Sequence, residues 1–239
     1  MRNARNTRNA AARDGAVTAA TDRIRELIVN ATLGPGAPLI ERQLALRLNV
    51  GRTTVRSALQ LLQHEGYVTS AVVGKYSRTT VAPLTTEDMQ EVHEIVGAVN
   101  GMAARRAASL PAPARKALAD ELEHINDSLA QVAHADPTAF VTVHDHDRRF
   151  HGRCVAAAGN RRLRTLYASL APQGERYGRM YATALIDRIS VSCEEHARII
   201  DAIRAGDPPA AELRTVENFL NAAARLRPVI ESIGERGSW

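Results

Sequence analysis

The 239-residue chain has no apolar run long enough to span a bilayer, and its Arg/Asn/Ala-rich N-terminus has no signal-peptide core. These absences read as a soluble, cytoplasmic protein with no membrane partner. Cysteine is nearly missing: Cys154 and Cys193 set no disulfide framework. In a reducing cytosol they read most simply as free, buried thiols. There is no internal repeat, and no strand pattern follows residue 83.

What is present suits two modest domains, with 45% hydrophobic residues to fill two cores. The net charge of +5 is uneven. Residues 1–85 carry twelve Lys/Arg against five Asp/Glu, and the remainder carries nineteen against twenty-one. A basic first third on a nearly neutral remainder is the footprint of a polyanion-binding module joined to something else, although membrane-surface proteins share it.

Residues 1–16 lack helical apolar periodicity and read as a disordered basic arm. A helix follows from Thr21 to about Ala31, because Ile24, Leu27, Ile28 and Ala31 recur at the spacing of one helical face. The run Gly34-Pro35-Gly36-Ala37-Pro38 stops it. A short second helix places Leu44, Ala45 and Leu48 together, and Asn49-Val50-Gly51 breaks it. A third helix, Thr53 to His64, turns Val55, Ala58, Leu59 and Leu62 inward. Two short strands, 67–70 and 76–81, complete a winged helix-turn-helix over residues 17–83.

The outer face of the third helix carries Arg52, Thr53, Arg56, Ser57 and Gln60. Arg52 and Arg56 are four residues apart and project together from the first turn, where a recognition helix places its base-reading groups. Arg pairs bidentately with guanine O6 and N7; Thr reaches phosphates or a thymine methyl. An ordinary helix with solvated arginines shows the same pattern.

After Pro83 the chain turns helical and Ala-rich, opening with the start signal Thr85-Thr86-Glu87-Asp88. Expected breaks fall at Leu110-Pro111, Asp136-Pro137, Gly159-Asn160, Ala171-Pro172, near Asp187, and at Gly206-Asp207-Pro208-Pro209. They imply six or seven helices over 84–239. The expected fold is mainly α: a winged helix-turn-helix with a small β-hairpin, followed by an all-α antiparallel bundle. Within the bundle Asp147 and His151 share a helix face, as two ligands of one ion would, or as an interhelical hydrogen bond or a surface pair would. His144 and His146 read as surface groups or outer supports of that pair. Arg176, Tyr177, Arg179 and Tyr181 are candidates for an effector pocket, or else surface arginines and core tyrosines. Cys154 and Cys193, each three residues from one of His151 and His196, fit apolar packing better than a thiolate site.

The first domain resembles the GntR family of regulators. The matching residues are Pro35-Gly36, Glu41-Arg42, Leu44-Ala45, Arg52-Thr53-Thr54-Val55-Arg56 and Glu65-Gly66-Tyr67-Val68. The resemblance implies DNA contacts by Arg42, Arg52 and Arg56, and a wing tip, Gly74-Lys75, in the minor groove. Gly51 departs from the family's usual Ser. The runs DRRFHGRCVAAAGNRRL and EEHARIIDAIRAGDP resemble the ligand-binding FCD domain of the FadR-type subfamily. That resemblance implies a divalent metal of the Zn, Ni or Mn type held by Asp147, His151 and His196. The fourth family position falls on Asn218, whose carbonyl oxygen is a weaker ligand than imidazole for most transition ions. Where relatives carry an Arg, which can help anchor an acid, followed four residues later by a Glu, this chain has Val96 and Asn100. The resemblance implies no enzyme but a homodimeric repressor of a palindromic operator, controlled by a small-molecule effector such as a metabolite acid. The rival readings are a DNA-binding dimer with a purely structural bundle, and a metal-dependent enzyme, which lacks a placed general base.

Overall fold

The computed structural model describes residues 2–73, 76–136, 138–185 and 188–237. The chain divides into two compact units, Met1–Leu84 with Glu235–Trp239, and Thr85–Gly234.

In the first unit, helix α1 (Arg2–Val29) begins inside the stretch expected as an arm. Its buried stripe is Ala20, Thr21, Ile24, Leu27 and Ile28. Ala31, expected on that stripe, is instead exposed in the turn beyond, at φ +56°. Helices α2 (Glu41–Leu48) and α3 (Arg52–His64) are separated by Asn49, in the left-handed conformation an Asn tolerates. Val55, Ala58, Leu59 and Leu62 of α3 are buried against α1 residues including Ile24 and Ile28. Full burial of one such aliphatic side chain stabilises by about 1.5–3 kcal/mol, so this seam sets which way α3 is rotated.

The exit from α3 explains its motif. Glu65 takes two N–H groups of Arg25 on α1, at 2.8 and 3.2 Å, and the Arg25 guanidinium lies 5.7 Å from the Tyr67 ring centre. Gly66 turns the chain at φ +82°, where a Cβ would be strained. Strands β1 (Val68–Val73) and β2 (Tyr76–Val81) pair antiparallel, Val68 opposite Val81. The segment after Gly36 adds to β2: Leu39 N–H donates to Thr79 C=O at 2.9 Å and Val81 N–H to Ala37 C=O at 3.0 Å.

The second unit is all helix among its described residues: α4 (Thr86–Ala108), α5 (Ala112–Ala135), α6 (Phe140–Ala157), α7 (Arg161–Leu185), α8 (Ile189–Ala205) and α9 (Pro208–Ile233). The start signal holds, since Thr85 Oγ1 accepts from Asp88 N–H at 3.1 Å. Asp207 caps α9 in the same way, with two prolines opening the helix. The break expected at Ala171-Pro172 is absent, and α7 runs through Pro172. A proline removes one N–H and crowds the preceding turn, but the packing of α7 against α4, α6 and α9 keeps the axis continuous. One helix stands where two were expected. Among the described residues, no helix is long and apolar enough to cross a membrane.

The tightest seam joins α4 and α9. A Cβ on Gly97 would lie 2.9 Å from Phe219 Cβ, and one on Gly101 would lie 2.8 Å from Val216 Cγ2 and 3.3 Å from the Glu212 carbonyl oxygen. Gly101→Val should therefore lower stability by about 1–3 kcal/mol through overpacking. Urea denaturation followed by circular dichroism measures this; an unchanged midpoint would show that the helices are not so close.

Candidate DNA-reading face and metal-binding cavity

The rotation of α3 leaves Arg52, Thr53, Arg56 and Gln60 exposed and Ser57 half-buried. Arg52 and Arg56 side chains are 65% and 60% exposed, so neither is committed to the core. Both converge on Glu41 at the start of α2. Arg56 donates twice to its carboxylate, at 2.8 and 2.9 Å, and an Arg52 nitrogen lies 3.8 Å away. The Arg56 guanidinium holds the Glu41 carboxyl below the usual carboxylate range. An exposed pair of this kind contributes only about 0.2–1 kcal/mol. It can pre-orient the arginines and still release them to a base edge at small cost.

Arg42 is exposed on α2. Gly51 begins α3 without a side-chain capping bond. The wing tip, Gly74 and Lys75, lies outside the described residues.

In the second unit, α6 and α8 bring together Asp147, His151 and His196, with ligand atoms all within 4.8 Å of one another. Phe150 stacks on His196 at 4.0 Å between ring centres, and Phe219 lies 4.6 Å from His151, so the imidazoles are packed in place. Burial pushes both histidines below their usual range, His196 to about 3. They are neutral at pH 7, the state a metal ligand needs.

The tautomer of His196 follows from its neighbours. The Asn126 amide donates to the Cys193 carbonyl at 3.0 Å, so the Asn126 oxygen must be the atom 3.0 Å from His196 Nδ1. Nδ1 therefore carries the proton. His196 Nε2 is left with a bare lone pair, buried, without a hydrogen-bond partner, and 3.5 Å from an Asp147 carboxylate oxygen. Two acceptors facing each other are unfavourable unless a positive charge lies between them. Ligand bonds of about 2.0–2.2 Å to such N and O atoms would fit that gap, and the backing hydrogen bond is what metal-ligating histidines show. The residues fit a divalent cation.

Asn218 lines the same cavity, but its amide nitrogen donates to Glu195 at 2.8 Å. Asn221 and Arg225 also donate to that buried carboxylate, at 2.9 and 2.8 Å. Only the Asn218 oxygen remains for a ligand. Neither cysteine joins the cluster; burial pushes the Cys154 thiol up to about 12 and Cys193 to about 11, so both stay protonated.

The cavity encloses about 190 Å³. Val92, Val96, Phe140 and Leu226 give it apolar walls, and Arg148, Arg188 and Arg225 supply positive groups. His144, read as a surface or supporting group, lines it too, with a buried, unpartnered Nε2. His93, which sequence reasoning missed, contributes a second imidazole; its Nδ1 is bonded to the Met89 carbonyl at 2.8 Å. Its only sequence signal is its place one turn before Val96. The four residues expected in an effector pocket lie elsewhere: α7 lines the cavity with Gly174, Glu175 and Gly178, whereas Arg176, Tyr177 and Tyr181 are buried in other packing and Arg179 faces Asp145 at 3.5 Å. For the two tyrosines the structure contains the alternative reading, core packing: Tyr177 and Tyr181 are buried.

Comparison with known proteins agrees with both halves. Residues 16–73 match the bacterial regulatory proteins of the gntR family, and residues 91–220 match the FCD domain. The chain belongs to the GntR family. The regulator is 29% identical over 201 residues to a probable D-xylose utilization operon transcriptional repressor of Paenarthrobacter nicotinovorans, covering 82% of this chain and 83% of that one. It is 25% identical over 223 residues to the transcriptional repressor NanR of Cronobacter sakazakii, covering 84% and 81%. Among solved structures, E. coli McbR/YncC shares the fold at TM-score 0.69 and 18% identity, covering 89% of this chain and 97% of that one. The regulator is a DNA-binding transcription factor, not an enzyme.

Arg52→Ala and Arg56→Ala should each reduce discrimination between selected and random DNA by about 1–3 kcal/mol. Competition binding on duplexes enriched from a random pool gives the number; unchanged preference in both variants would remove α3 as the reading element.

Proposed function

We propose that the regulator is a homodimeric repressor acting on cytoplasmic operator DNA, released or retained according to a small metabolite acid bound beside a divalent cation in the second unit. The observation that carries the sensing half is the bare His196 nitrogen opposite Asp147 on the wall of a cavity. Two imidazoles and one carboxylate suit Zn, Ni or Mn, and leave coordination positions for another ligand. When bound, the cation supplies a positive anchor for an anionic group. Arg148 and Arg188 add positive charge on the wall, while the apolar residues meet the rest of the molecule. Repression is favoured by the two named repressors among the relatives.

A dimer is supported by what α4 and α9 leave uncovered. Ile95 and Met102, seven residues apart, are exposed on α4; Leu213 and Leu220, seven apart, are exposed on α9. A two-fold arrangement would cover such stripes and present two α3 helices to the half-sites of a palindrome, with Arg42, Thr53 and the Gly74-Lys75 tip adding contacts.

Two outcomes follow. Chelator-treated protein should take up Zn²⁺, Ni²⁺ or Mn²⁺, and Asn126→Ala, by freeing the His196 tautomer, should weaken uptake by about 10–100-fold. Equal affinity in competition with a coloured chelator would count against the assigned ligand set. The double change Met102→Glu with Leu220→Glu should yield monomers by light scattering after size exclusion; a dimer of unchanged mass would place the interface elsewhere.

A further inference from the structure

Tyr177 and Tyr181 lie one turn apart on α7 and are almost wholly buried. Tyr177 Oη accepts from the Thr85 backbone N–H at 3.3 Å and donates to Asp88 at 2.5 Å. Tyr181 Oη donates to the Gly234 carbonyl at 3.2 Å. Thr85 and Gly234 are the first and last residues of the second compact unit, the points where the chain enters and leaves it. One helix therefore holds both covalent connections to the DNA-binding unit, each by one hydroxyl.

Immediately beyond those points the connections hold each other. Leu84 N–H donates to the Arg236 carbonyl at 2.8 Å, and Arg236 N–H donates to the Leu84 carbonyl at 3.1 Å. Gly237 then packs on Gly36, so closely that a Cβ on either glycine would lie within 2.8 Å of the other's backbone. The paired crossing thus ends on the turn between α1 and α2, inside the unit that reads DNA.

The cavity wall that α7 supplies, which includes Tyr167, Ala171 and Glu175, is thinnest at two glycines. Gly174 and Gly178 both line it. A Cβ on Gly174 would meet only Val92, at 3.8 Å, and one on Gly178 would press on the His144 ring at 3.0 Å. A ligand beside Gly174 bears directly on the backbone of the helix that carries both hydroxyls, and one beside Gly178 bears on it through the His144 ring. A packed helix moves as a unit rather than deforming locally.

We infer that Tyr177 and Tyr181 are positioning residues that transmit occupancy of the cavity, through α7, to the two chain connections. This rests on the proposal that the cavity takes a ligand. A purely structural role for the hydroxyls would stabilise the bundle without linking its cavity to its exits.

Hydrogen–deuterium exchange on the full chain tests the link, with Zn²⁺ as the probe and calorimetry to establish that it binds. In wild-type protein, Zn²⁺ should change exchange at least about threefold in the segments 85–88 and 233–236. With Tyr177→Phe the response at 85–88 should vanish, and with Tyr181→Phe that at 233–236, while α6 continues to respond. Gly174→Leu, or Ala171→Leu should the first not fold, fills the cavity without any ion. It should shift the same two segments, and Tyr→Phe should cancel the shift. Absence of Zn²⁺ binding would overturn the metal reading alone, because the cavity-filling variants still report on the link. Exits that stay silent while the cavity helices respond, or Phe variants that respond like wild type, would overturn the inference.

Discussion

A row of four apolar side chains decides what the regulator offers to DNA. Val55, Ala58, Leu59 and Leu62 are buried against α1, and no rotation of α3 can keep them there and also turn Arg52 and Arg56 inward. The exposed arginine face follows from the hydrophobic seam. Arg25 and Glu65 pin the far end of α3 to α1, and Gly66 turns the chain there into the hairpin, so the C-terminal end of the helix is held in place. Glu41 adds a weak, exposed clasp on the guanidiniums, which suits groups that must exchange one partner for another.

The second unit works on the opposite electrostatic principle. Its two imidazoles are buried, neutral and held by packing rather than exposed and charged. The Asn126 amide transmits the fixed polarity of a backbone carbonyl to His196, and so decides which imidazole nitrogen faces Asp147. Aromatic stacking by Phe150 and Phe219 fixes the rings. Glu195, with donors from Asn218, Asn221 and Arg225, is satisfied within the protein, whereas the cluster of Asp147, His151 and His196 is left with unmet demand.

What could be read in the sequence was what depends on local period. The inward stripe of α3, the helix start at Thr85, the break at Gly206-Asp207-Pro208-Pro209, and the i, i+4 spacing of Asp147 and His151 are properties of short segments, and the structure contains them. His196 was legible through resemblance alone, since forty-five residues separate it from His151. Whether Pro172 breaks a helix depends on what the helix packs against, and no local pattern reports that. The same limit hid the inward face of α7: Tyr177 meets Asp88 across eighty-nine positions. His93 was missed, and His144 left between a surface and a supporting role, for the same reason, because which of several histidines meet in one cavity is decided by how α4, α6 and α8 pack.

The account stands or falls on the arginines of α3 entering a major groove. Methylation interference with dimethyl sulfate, on duplexes enriched from a random pool by the full-length protein, reads that contact at guanine N7. Loss of binding on methylation of guanines in two symmetric half-sites is the predicted pattern. Binding indifferent to guanine N7 methylation, or disturbed only at adenine N3 in the minor groove, would contradict it.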